Sequence, residues 1–368
     1  MLIKLELNNI DELTDEETAG VENLFLSCAE GTHVAIADRN TLKALLNFTH
    51  LSSRALGSIR NMLSKFSFIA NLEKEISFYV QISSDTADPE FTEDLWKLPL
   101  SWFSDSQLCT RTILLAENLN DAFFYAFSSP VLSRHADLLK ELTVNYELVN
   151  GGGDTTADVL AHVADEKRFT ICVTDSDQYS PGASEKRTAR RCRAVIRACR
   201  WPCDLAVINA RTVENLIPPA MVRASTNSPH AHRAANDVEY LLANDLLPVA
   251  RFSDLKSGLH LSKIFSYTDQ NAIADWKLLG ERLVGHGQLD ERCIEQWSCQ
   301  HDRHNCDQNC CRIVAGYGVR TLSNLVAWLK AEPSAGIVPL LEVPTESPLR
   351  TVADRVVELC LAMKIQRV

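Results

Sequence analysis

The sequence predicts an α/β fold with a parallel sheet flanked by helices, and three stretches predict it. Thr170-Ile171-Cys172-Val173-Thr174 is a run of small and β-branched residues that stops on Asp175-Ser176-Asp177, the pattern of a strand buried on both faces. Thr112-Ile113-Leu114-Leu115-Ala116 is a second such run, ended by Glu117, with a helix starting near Asp121. Between them, Val149-Asn150 leads into Gly151-Gly152-Gly153-Asp154, a strand end turning through glycines toward another helix. Strands alternating with helices in this order build a parallel sheet.

The third strand carries the most chemistry. On an extended backbone Asp175 and Asp177 project to one side and Ser176 to the other. Two carboxylates about 6–7 Å apart repel unless something positive lies between them. Magnesium suits such a place, because it takes one or two carboxylates and keeps positions open for phosphate oxygens. The alternative is an acidic turn that caps the following helix.

Residues 1–108 precede these strands and read as a small α+β domain without an assigned role. Met1 to Asn8 alternates like a strand and carries Glu6, unlike a signal peptide. Val34 to Ala37 reads as a strand, Asn40 to Phe48 and Ser52 to Phe66 as helices, and Ile76 to Ile82 as an alternating strand. Ser83 to Glu93 is polar and reads as a loop. Residues 109–225 hold the acid-bearing unit, closed by the apolar run Leu205 to Ile208 and then Arg211-Thr212-Val213-Glu214-Asn215. Residues 226–368 read as mainly helical, with amphipathic stretches at Trp276 to Leu283, Val319 to Lys330 and Leu349 to Arg367.

At 368 residues and 46% apolar composition the chain supports two or three domains with a sizeable core. No apolar run approaches the ~20 residues of a membrane span, so the expected compartment is the cytoplasm, with no membrane partner. A net charge of −11 argues against a passive nucleic-acid coat. One local face departs from that acidity. Lys186, Arg187, Arg190, Arg191, Arg193, Arg197 and Arg200 fall in one stretch without an acid. Ala189, Cys192, Ile196 and Cys199 form the buried stripe of an amphipathic helix there, leaving Lys186, Arg190, Arg193 and Arg197 on a neighbouring face. Phosphate contact is the favoured reading and a solvated charged face the alternative.

Five of twelve cysteines and two of ten histidines lie between Cys293 and Cys311. Thiols this dense in a reducing compartment suggest one structural Zn²⁺, with Cys299, His304, Cys306 and Cys310 as one ligand set. Buried thiols packing as small hydrophobes are the alternative.

The strand-end Glu117, the glycine turn at 151–153 and Asp175-x-Asp177, over roughly residues 110 to 220, together resemble the Toprim fold. The nearest likeness is to the catalytic part of nucleases of the overcoming-lysogenization-defect (OLD) family and their defence-associated relatives. The resemblance implies a metal-dependent endonuclease using Mg²⁺ or Mn²⁺, with DNA favoured over RNA, as an effector of bacterial anti-phage defence. It implies Glu117 as acid/base or ligand, Asp121 as a second ligand candidate, and Asp175 and Asp177 as holders of the principal metal. The Arg211-x-x-Glu214-Asn215 segment is similar to one in those nucleases, making Glu214 a ligand candidate. A first-turn helix acid is its alternative. Most members place glycine where this chain has Asn118, the next most tolerant residue of a left-handed turn. The chain has no Walker A motif, so nucleotide gating would fall to a separate ATPase or sensor protein. A homo-oligomer is a further candidate partner arrangement. A primase-like or RNA-processing Toprim enzyme, and a non-catalytic Toprim fold that binds a partner, are the competing functions.

Overall fold

The computed structural model describes residues 1–286, 289–300 and 312–365. The architecture is α/β, with parallel and mixed sheets flanked by helices. The chain forms two compact units: Met1–Val173, Arg191–Ala206 and the stretch from Arg350 onward make the first, and Thr174–Arg190 with Val207–Leu349 the second.

The first unit contains two sheets. In the N-terminal one the order is β2-β1-β3-β5-β4, from β1 (Leu2–Glu6), β2 (Val34–Ile36), β3 (Tyr79–Ser83), β4 (Glu90–Phe91) and β5 (Leu95–Pro99). The first pairings are parallel and β4 lies antiparallel to β5. The strand read from Ile76 thus starts at Tyr79, and the polar stretch after Ser83 contributes the two-residue β4. Three helices start on side-chain caps that the sequence supplies. Helix α1 (Asp15–Ala29) opens on a Thr14/Glu17 capping box, α2 (Arg39–Leu46) on Asp38, and α3 (Ser53–Ser64) on Ser52.

The second sheet runs β10-β9-β6-β8, from β6 (Thr112–Ala116), β8 (Tyr146–Asn150), β9 (Thr170–Thr174) and β10 (Cys203–Val207), with β7 (Leu142–Val144) outside it. Every residue of β6 and β9 is buried, as two-sided burial requires of such apolar runs. Both strands lie parallel to their neighbours, β6 to β8 and β6 to β9. Helices α4 (Leu119–Leu132), α5 (Thr156–Asp165) and α6 (Arg187–Ala198) follow β6, β8 and β9 in the chain. Ile113, Leu115, Leu160, Cys172 and Cys192 share one buried cluster, against which Val195 and Ile196 pack. Of the stripe read there, Ala189 and Cys192 are buried and Ile196 packs on this cluster, whereas Cys199 lies just past the helix and is half-buried. Phe169, just before β9, meets Trp96 and Phe103, which ties the two sheets into one core.

The second unit is mainly helical, as expected for this part of the chain. Among its helices are α7 (Pro229–Ala243), α8 (Gln270–Gly285) and α9 (Thr321–Ala331). It also holds an antiparallel ribbon of β11 (Gly258–His260) and β12 (Arg312–Ala315), which hydropathy periodicity did not reveal. The chain then returns to the first unit through α10 (Pro348–Cys360) and β13 (Leu361–Met363), the latter antiparallel to β7. The helix read to Arg367 thus ends at Cys360, because Leu361 to Met363 take up a strand partner instead.

Candidate active site

The sheet order points to a place before any side chain is considered. The chain visits β6, then β8 on one side of it, then β9 on the other. The direction of winding reverses between β6 and β9, and in open α/β sheets ligands bind outside the carboxyl ends of strands at such a reversal. Both flanking strands run into acids: Glu117 follows Ala116, and Asp175 follows Thr174.

In the first unit, Glu117 is half-buried and its backbone carbonyl accepts the Gly153 N–H at 2.8 Å. Gly151 N–H donates to Ala116 O at 2.8 Å, and Gly152 N–H to Asn150 Oδ1 at 3.2 Å. The Gly151 and Gly153 amides thus brace the end of β6, and the Gly152 amide is taken by Asn150 at the end of β8. Glycine is needed for that brace: a Cβ on Gly151 would stand 2.8 Å from Ala116 O, and Gly152 and Gly153 have φ of +74° and +66°. Asn118 is extended (φ −140°, ψ 166°) and caps α4, so the left-handed turn read there is not formed. Its partner in the capping box is Asp121, whose Oδ2 accepts Asn118 N–H at 3.1 Å and Nδ2 at 2.6 Å. Asp121 is 3% exposed, and its carboxylate is a helix cap.

In the second unit, Asp175 is 8% exposed and its Oδ1 accepts the Val213 N–H at 3.0 Å. The strand ends at Thr174, and Asp177 has φ of +52°, so the alternation that would place both aspartates on one side is broken. Asp177 N–H donates to Arg211 O at 2.9 Å, and Ser176 Oγ to Ala210 O at 2.6 Å. These bonds lay the Asp175–Asp177 segment against 210–213. Glu214 is 3% exposed and accepts Thr212 Oγ1 at 2.7 Å, with Lys256 Nζ at 3.3 Å. Glu214 is therefore neutralised by protein groups and fits a supporting position better than a ligand position.

Sequence reading did not single out Lys256 or Lys263 of this unit, and named Arg211 only as part of the segment before Glu214. Arg211 Nη2 stands 3.4 Å from Asp254 Oδ2, which also takes Lys263 Nζ at 2.6 Å. Burial works against the charged form of Asp254, yet the Lys263 and Ser257 hydrogen bonds and the nearby Arg211 hold its carboxyl below the usual value. Asp254 and Lys263 lie tens of residues from the acid strand, so no local spacing announces them.

On α6 the cationic face is solvent-facing: Arg190, Arg193 and Arg197 are exposed and Lys186 is half-buried. Arg191 turns aside to Asp154 O at 2.8 Å and Asp158 Oδ1 at 2.6 Å. Of the zinc set, Cys299 is half-buried, whereas His304, Cys306 and Cys310 lie outside the described residues. Among the described residues, no three His, Cys, Asp or Glu side chains form a metal-holding group. Asp175 and Asp177 are hard carboxylates, and Mg²⁺ sites commonly take only one or two such groups from the protein. Two grooves, each of about 670–680 Å³, lie in the first unit, one of them lined by Arg111 and Arg168 and the other by Asn8 and His50.

No family model, no curated protein and no solved structure matches this chain. Its class is that of an α/β protein with a parallel sheet whose reversal point is marked by acids.

Proposed function

We propose that the chain is a metal-dependent nuclease that hydrolyses phosphodiester bonds, with Asp175 and Asp177 holding Mg²⁺ or Mn²⁺ and Glu117 serving as acid/base. The observation that carries the reading is that both strands at the reversal, β6 and β9, lead directly into carboxylates. Bound there, a divalent ion supplies Lewis acidity to a phosphoryl oxygen and lowers the pKa of an attacking water. The chain's own groups do the rest. Val213 N–H fixes the Asp175 carboxylate at one oxygen. Lys256 offsets Glu214 close by in sequence to Val213, so the buried acid adds no uncompensated negative charge. The glycine brace fixes the backbone at Glu117, whose carboxyl is the proton-exchanging group in this reading. Arg190, Arg193 and Arg197 offer phosphate contacts from an exposed face.

One observation favours a second reading, a fold of this type that binds a partner without cutting. Asp121 and Glu214 are both committed to internal hydrogen bonds. Incubating the purified protein with plasmid DNA and with RNA, in Mg²⁺, Mn²⁺ or EDTA, separates the two. The nuclease reading expects cleavage that EDTA abolishes. Intact substrates in every metal condition favour the binding protein.

A further inference from the structure

Two residues beyond Asp177, the second unit holds an aromatic pair that metal chemistry does not use. The rings of Tyr179 and Tyr267 have centroids 4.2 Å apart and planes 33° from parallel. Tyr179 is held in place through its backbone, since the indole Nε1 of Trp276, itself 1% exposed, donates to Tyr179 O at 2.6 Å. Yet both tyrosines are only half-buried, so the pair is rigid and also reachable.

Cations surround the pair. Lys186 Nζ lies 4.2 Å from the Tyr179 ring centroid. The Arg211 guanidinium stands beside the Tyr267 hydroxyl, whose pKa burial pushes up, keeping it a neutral donor. The Arg211 and Tyr267 side chains hydrogen-bond each other, and beyond that pairing neither Arg211 Nη1 nor Tyr267 Oη, both buried, finds a partner of good geometry among the described residues. Buried donors left in that state are a reason to look for an absent partner. Asp254 offsets Arg211 and Lys263 with a single carboxylate, so these three side chains keep a net positive charge. Arg211 also carries Asp177 on its carbonyl oxygen, which connects the acids to the cations through one residue.

We infer that Tyr179 and Tyr267 form a stacking platform for an unpaired base of a single-stranded polynucleotide, with Arg211 and Lys186 meeting its phosphates. The occupant follows from the chemistry. An aromatic face flanked by donors takes a base that has left its stack, and a base inside a duplex does not present its face. A free phosphate or a peptide carboxylate would satisfy the cations but leave the rings unused. Lys186 serves both parts, covering the ring when it is empty and turning to phosphate when a base arrives. The inference deepens the nuclease reading and rests on it for the identity of the polymer.

The test is binding in EDTA, where nothing is cut. Fluorescence anisotropy of labelled single-stranded DNA, single-stranded RNA and a duplex of equal length gives the affinities of wild type, Tyr179→Phe and Tyr179→Leu. Wild type and Tyr179→Phe are expected to prefer single strands. Tyr179→Leu should weaken single-strand binding by about tenfold and leave duplex binding unchanged, and the two single-stranded arms tell DNA from RNA. An oligonucleotide carrying a fluorescent aminopurine reads stacking on wild type directly, so the test survives a poorly folding leucine variant; quenching on binding is expected. Tighter binding of duplex, or aminopurine emission unchanged on saturation, would overturn the platform. Cleavage by a protein that shows no such quenching would leave the nuclease standing without the platform. Quenching by a protein that never cuts would leave the platform standing without the nuclease.

Discussion

At the scale of single residues, the two aspartates are not equivalent. Asp175 holds a buried backbone amide, that of Val213, at 3.0 Å, so Asp175→Ala removes an acceptor as well as the proposed ligand. An unmet buried N–H costs about 1–3 kcal/mol, and Asp175→Ala is expected to lower the melting temperature even without metal. Asp175→Asn keeps an oxygen for Val213 and should melt close to wild type. Asp177 sits at φ of +52°, a conformation that asparagine and glycine share readily and β-branched residues do not. Asp177→Asn should therefore fold normally and Asp177→Val should not. Melts with and without Mn²⁺ add the functional half: wild type shifts upward on metal and both asparagine variants lose the shift. Equal shifts in all three would remove the metal from these acids. Elsewhere in the first unit, Glu358 is 3% exposed and accepts Arg134 Nη2 at 3.0 Å and His135 Nε2 at 3.1 Å. Burial raises its pKa, but the hydrogen bonds from His135, Ser77 and Arg134 outweigh this and set it below its ordinary 4.5. Its contribution to stability is present above that value and is lost as pH falls through the lower folded pKa. Glu358→Gln should flatten the acid limb of a plot of melting temperature against pH. An unchanged acid limb would place the acid sensitivity in other carboxylates.

At the scale of elements, the basic helix separates binding from stability. Replacing Arg190, Arg193 and Arg197 with glutamate changes exposed positions and should lower nucleic-acid affinity and flatten its salt dependence. Arg191→Ala loses the contacts to Asp154 and Asp158 instead and should leave the salt slope nearly intact. An unchanged slope in the triple variant would make the face solvent or partner surface. These elements also show what the sequence made legible. The β6 and β9 runs and the Ala189–Cys192–Ile196 stripe carry their periodicity locally, so burial could be read from spacing. The alternation carried past Thr174 failed because Asp177 N–H finds Arg211 O rather than a strand neighbour. Asp121 reads as a ligand candidate, and the fold also uses it in the capping box with Asn118. Tyr267, Asp254 and Lys263 were invisible because they reach the acid segment only through the folded chain.

At the scale of the whole molecule, the units do not follow the sequence in blocks. The stretch from Arg350 onward belongs with residues far upstream: Arg355 Nε meets Asp204 Oδ2 at 2.5 Å, Leu359 O takes Thr112 Oγ1 at 2.7 Å, and β13 covers β7. Linear segmentation cannot see such a return, since nothing in residues 350–365 names a partner. Truncation after Leu349 removes buried apolar side chains such as Val356 and Leu359 and should therefore expose the β7 edge and the apolar surface they covered, giving an aggregating protein. A soluble truncated chain with cooperative melting would show that the segment only decorates the first unit. For the whole chain the central claim is that carboxylates at the β6–β9 reversal carry out phosphodiester hydrolysis, and cleavage by matched variants tests it most directly. In Mn²⁺, wild type should cut a labelled oligonucleotide, whereas Asp175→Asn and Glu117→Gln, at wild-type melting temperature, should be slowed by at least about a hundredfold. Cleavage by both variants at the wild-type rate would contradict the account.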